Sequence, residues 1–91
     1  MLLFEAWKKA CEDLNHKVTL LKTGTTRAGY EIKMYVVERE ICFSDNNHMV
    51  VKNYILWVNE EKSISFVHYK QALEYFEKWR NHYIWDGVKL F

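Results

Sequence analysis

Six side chains in this chain have the chemistry to hold a metal or attack a carbonyl: Cys11, Cys42, His16, His48, His68 and His82. Zinc sites read from local sequence use pairs at C-x2-4-C or H-x3-5-H spacing, because two ligands must reach one ion from one turn. Neither cysteine lies within four residues of the other or of a histidine, and the histidines are widely spaced. No metal or other cofactor is therefore expected. A thiolate nucleophile would need a histidine brought to it by folding, with no local signature to announce it. Asp45 and His48 could form an acid/base couple, but Asp45-Asn46-Asn47 is first of all a turn. Gly24 to Gly29 has the G-x-x-x-x-G spacing of a phosphate loop. Tyr30-Glu31 follows where Lys and then Ser or Thr should stand, and the next segment reads as a strand, so a phosphate would find no helix N-terminus. The carboxylate pairs Glu38/Glu40 and Glu60/Glu61 fall at hairpin ends, where charge serves solubility. The expectation is a protein without catalytic activity.

Composition narrows the class further. Ninety-one residues make one domain, residues 1–91. Hydrophobic residues are 49% and aromatic residues 16%, too rich for a disordered chain. Net charge is +1, but its distribution is uneven. Lys17, Lys22, Arg27 and Lys33 stand against Glu31 in the stretch 16–37, while Glu38, Glu40, Asp45, Glu60 and Glu61 outnumber Arg39 and Lys52 in 38–61. A uniformly basic nucleic-acid binder is thus disfavoured, and a local basic patch stays open. Two lone cysteines do not form a secreted disulfide scaffold, which points to a reducing, cytoplasmic setting with both thiols as small buried hydrophobes. The start lacks a signal-peptide pattern, and apolar runs of about five residues are far short of a membrane span.

The elements that would position any site follow from periodicity. Leu2 to Leu14 has helical spacing, with Leu3, Trp7, Ala10 and Leu14 on one face, and Asn15 can take the left-handed conformation that ends a helix. Lys17 to Lys22 is a short strand and Thr23 to Gly29 a loop. Tyr30 to Val37 alternates, with Tyr30, Ile32, Met34 and Val36 facing the core. Glu38-Arg39-Glu40 reads as a charged break, and Ile41 to Ser44 as a short strand or a continuation past a bulge. Met49 to Val58 is apolar on both faces, and Ser63 to Val67 returns after a turn at Asn59 to Lys62. Tyr69 to Tyr83 has an apolar stripe at helical intervals: Tyr69, Ala72, Leu73, Phe76, Trp79 and Tyr83, bordered by Arg80. Ile84 to Phe91 is either a last strand or a tail packed on the core.

This order predicts an α+β fold: an N-terminal helix, an antiparallel sheet of four to five strands and a C-terminal helix, both helices packed on one sheet face. The other face would then present Tyr35 and Val37 with one apolar row of the 49–58 strand, more apolar surface than a monomer usually exposes. Either the 84–91 tail or another chain should cover it. Tyr35, Trp57 and Trp85, rimmed by Arg27 and Lys33, are the expected contacts of a protein partner or a second copy, since Trp and Tyr carry much interface energy.

The α-β-β-β-α order resembles the double-stranded RNA-binding domain. The likeness is of element order over about eighty residues. It implies RNA contacts from Thr23 to Gly29 and from His68 to Lys70, with Lys17, Lys22, Arg27 and Lys33 as the basic surface. Where that family clusters lysines at the start of its last helix, this chain has His68-Tyr69-Lys70-Gln71. The order is also similar to that of several small phage-encoded inhibitors, including some anti-CRISPR proteins, which implies action by covering a host protein's surface. The leading expectation is such a protein-binding domain; the alternative is double-stranded nucleic-acid binding through the 17–33 hairpin.

Overall fold

The structure, a computed structural model, describes residues 3–81. The element order is α1 (Leu3–Asp13), β1 (Lys17–Thr25), β2 (Glu31–Ser44), β3 (Asn47–Val58), β4 (Lys62–Phe66) and α2 (Tyr69–Asn81). The four strands form one antiparallel sheet in the order β1-β2-β3-β4. The expected α+β architecture is present. The possible fifth strand at Val88 to Phe91, and Tyr83 of the helical stripe, lie outside the described residues.

The two helices do not share a sheet face. Successive side chains along a strand point to opposite faces. Ile32 and Met34 of β2 and Leu56 and Val58 of β3 pack with Ala72, Phe76 and Trp79 of α2. Tyr35 and Trp57, one residue out of phase, pack with Phe4 and Trp7 of α1, beside Val18 and Ile55. The doubly apolar strands have a simple cause: each face has its own helix, and the sheet is the middle layer of three. Tyr35, Val37 and Trp57, expected to lie bare, are therefore core.

Local chemistry fixes the ends of the elements. Asn15 has φ 59°, and His16 N donates to Cys11 O at 2.8 Å, the capping bond of a left-handed helix stop. The inward face of α1 is Phe4, Trp7 and Cys11, with Leu3, Ala10 and Leu14 exposed. The stripe is rotated from the one that spacing suggested, because α1 must set its rings on Tyr35 and Trp57. Two further turns set the sheet register. At Thr26–Tyr30, Thr26 Oγ1 accepts from Tyr30 N and Gly29 holds φ 89°, so the expected 23–29 loop is shorter and begins later. At Asn59–Glu61, Asn59 and Glu60 have φ 51° and 60°; Asn59 Oδ1 accepts from Glu31 N at 2.8 Å, tying the turn to the start of β2.

Gly24, expected in a loop, is a strand residue paired with Ile32. A Cβ there would stand 3.2 Å from Phe76 Cζ and 3.3 Å from Arg80 Cδ, so the bare backbone is what lets α2 lie across β1. That role leaves it unavailable to cradle a phosphate. Glu38-Arg39-Glu40 is not a break either: β2 runs through it unbroken, with Glu38 opposite Lys52 and Glu40 opposite Val50, and an irregularity only at Cys42/Ser44. Charged residues are tolerated because this part of the strand is wet on at least one face.

Candidate functional site on the hairpin arm

A length mismatch creates the site. With 11 residues, α1 is about 16 Å long. With 14 residues, β2 is about 46 Å long. Phe4 N donates to Glu60 O at the far end of the sheet, so α1 starts there and is used up by the level of Lys17, which faces Glu38. On the other side, β4 ends at Phe66, opposite Tyr54. From Arg39 to Asn53 the hairpin of β2 and β3 pairs only with itself among the described residues. It projects as a two-stranded arm, and the molecule measures 50 × 30 × 20 Å.

The arm is amphipathic. Register and alternation place Arg39, Ile41, Met49 and Val51 on the α1 side and Glu38, Glu40, Cys42, His48, Val50 and Lys52 on the α2 side, with Phe43 at the irregularity between Cys42 and Ser44. Phe43 is 67% exposed and Met49 48%. On the α2 side His48 Nε2 lies 3.5 Å from Glu40 Oε1, Lys52 stands opposite Glu38 in the register, and Val50 is exposed. In charge the arm is balanced, with Glu40 and Asp45 against Arg39 and Lys52. Cys42, expected to be buried, is exposed here, because the arm has no core; Cys11 is buried on the inner side of α1, where burial raises its pKa. A shallow groove of about 200 Å³ sits at the arm's base, lined by Asn15, Lys17, Glu38, Arg39, Glu40 and Val50, a mixture of signs rather than a convergence.

The expected contact residues fall elsewhere. Tyr35 is 7% exposed and Trp57 5%, both sealed beneath α1. Phe4 meets the Trp57 ring edge-on at 5.5 Å and Tyr35 at 5.3 Å, and Trp7 touches both. Burial raises the Tyr35 pKa, so its hydroxyl stays protonated. These rings cannot meet a partner without unfolding α1 from the sheet. Trp85 lies outside the described residues. Arg27 is exposed in the β1–β2 loop, and Lys33 is engaged by Glu31 at 3.3 Å, whose hydrogen bond raises the lysine's pKa.

The basic surface is also divided. Lys22, on the α2 side, bonds Glu77 at 2.9 Å and stands 5.1 Å from the centre of the Phe76 ring. Lys33 is on the α1 side, in the alternation that points Tyr35 there. Lys17 stands opposite Glu38 in the strand register. The four cations thus point to different faces, and two of them are neutralised by carboxylates. Sequence reasoning missed Phe43, Met49, Ile41 and Val51 as a unit. The available signal was the length of the apolar β3 run against that of the first helix, but the charged triplet at 38–40 masked it.

Among the described residues no group of three or more His, Cys, Asp or Glu could hold a metal ion, and no helix is long and apolar enough to cross a membrane. No protein-family model, curated protein or solved structure matches this chain.

Proposed function

We propose that this chain is a non-catalytic protein-binding domain whose contact element is the β2–β3 arm, not the Tyr35–Trp57 face. The observation behind this reading is exposed Phe43 and Met49, with half-buried Ile41 and Val51 beside them, on a ribbon that extends past both helices. An exposed apolar patch on a small domain is an interaction site more often than not. A two-stranded ribbon also gains little from standing alone in water. The sheet beneath supplies the rigidity, with both its faces packed. An inhibitor that silences a host protein by covering its surface is the form of this reading suggested by the similarity to phage-encoded inhibitors. Nucleic acid fits less well, because the arm carries no net positive charge and the 17–33 cations are split between faces, with Lys22 and Lys33 held by carboxylates.

The test is retention on the immobilised full chain from an extract of the source cells. A bound protein should be held by wild type and lost with Phe43→Ser/Met49→Ser, with the far-ultraviolet circular dichroism unchanged. Equal retention by both, or none by either, would overturn the arm as the contact element.

A further inference from the structure

We propose that α1 is a lid: it unwinds and lifts from the Tyr35–Trp57 face as a unit while the sheet and α2 stay folded. The two helices cover opposite faces of one sheet but are held unequally. In α2, Ala72, Phe76 and Trp79 are 1% exposed or less. In α1 the buried residues are Phe4 and Cys11, still 8% and 7% exposed, and Trp7 is half-buried. Glu77 also ties α2 to β1, accepting from Lys22 at 2.9 Å. Among the described residues no side chain of α1 makes a hydrogen bond or ion pair to the sheet, and its backbone tie is Phe4 N to Glu60 O at 3.1 Å.

The helices differ in their own stability too. An isolated helix of 11 residues is marginal in water, so α1 cannot persist once it leaves the sheet. Its last turn holds Glu12 and Asp13 and no cation, which sets carboxylates at the negative end of the helix dipole. The last turn of α2 carries Lys78 and Arg80, which suit that end. Beneath α1, Trp57 Nε1 is a buried donor without a partner among the described residues; lifting gives it water and so lowers the cost of opening. The link 14–16, with Asn15 at φ 59°, is the hinge. Opening bares Tyr35, Ile55 and Trp57, and the last two continue the β3 row of Met49 and Val51, so the arm's apolar side lengthens over the sheet. Layers with few buried contacts are the ones that open below the global unfolding free energy.

Cys11, on the inner side of α1, is a built-in reporter. Cys42→Ser, at an exposed position, leaves it as the single thiol of the full chain. Alkylation by iodoacetamide at low reagent concentration, where closing outruns labelling, reads the open population. Normalised to the urea-unfolded chain, Cys11 should label about tenfold or more faster than global unfolding allows, as fixed by a urea titration followed by circular dichroism. Its rate should rise only shallowly with urea, since lifting one helix exposes a small part of the surface. Phe76→Leu, in the α2 layer, should lower the folding equilibrium constant about tenfold yet change Cys11 labelling no more than about twofold, because the open form keeps α2 in place. A control thiol, Ala72→Cys in the Cys11→Ser/Cys42→Ser chain, should label only through global unfolding, with the full urea slope. The lid is overturned by Cys11 labelling at the global rate with the full slope, by acceleration with Phe76→Leu in step with the lost stability, or by a control thiol that labels as readily as Cys11. If Phe76→Leu does not fold, the urea slope of Cys42→Ser alone decides.

Discussion

Trp57 is the residue whose environment most constrains function. Its ring lies between β3 and α1, against Phe4 and Trp7, and its Nε1 has no hydrogen-bond partner among the described residues. Trp57→Ala should cost about 3–5 kcal/mol, enough to unfold much of a small domain, as urea titration followed by circular dichroism would register. Trp57→Phe should cost far less, about 1 kcal/mol, because the lost volume is partly offset by removing an unsatisfied donor. A native spectrum for Trp57→Ala would mean the ring is not core. Asn59 acts locally in a similar way. It tolerates positive φ and accepts from Glu31 N, so Asn59→Ala should lose about 1–2 kcal/mol by the same titration. Glu60 has φ 60° with no such excuse, and Glu60→Gly should leave the protein as stable as wild type or more so.

At the scale of elements, α2 is tied to β1 by Glu77, which accepts from Lys22 at 2.9 Å and from Arg80 at 2.6 Å. Those two hydrogen bonds hold the Glu77 pKa below its ordinary 4.5. A carboxylate with a depressed folded pKa adds stability above the unfolded value and loses it as pH falls through the folded one. Thermal stability should therefore drop below about pH 4.5, and Glu77→Gln should flatten part of that acid limb while leaving the neutral plateau slightly lower. An identical acid limb in the variant would remove Glu77 from the account. Gly24→Val, placed against Phe76 and Arg80, should cost about 1–3 kcal/mol by forcing α2 off β1. Much of this layer was readable beforehand: the order of elements, the α2 stripe, the Asn15 stop and the face-by-face alternation of β2 and β3 all follow from local periodicity. What was not readable is which helix covers which face. A helix's own sequence says which side is apolar but not where it docks. Leu3, Ala10 and Leu14 share helical spacing with Trp7 and so gave α1 a plausible but rotated stripe. Cys42 looked buried for the same reason: flanking Ile41 and Phe43 signal a core strand equally well when the strand has left the core.

For the molecule as a whole, three layers of matched length account for the stable part, and the surplus length of β2 and β3 accounts for the arm. Substitutions on the arm should separate folding from binding. Phe43→Ser should leave the unfolding free energy within about 0.5 kcal/mol of wild type, as surface changes usually do, while Phe76→Ser, in the α2 layer, should unfold the chain. Equal damage from both would mean that the arm is part of the core. The central claim, that this protein meets its partner through the apolar side of the arm, is tested most directly by photo-crosslinking in the source cells. A photoreactive residue is placed at position 43 or, as a control, at the exposed position 70 on α2. Covalent adducts to another protein chain, whether a second copy or a different one, should form from position 43 and not from position 70. Adducts from position 70 alone, or from neither, would contradict it.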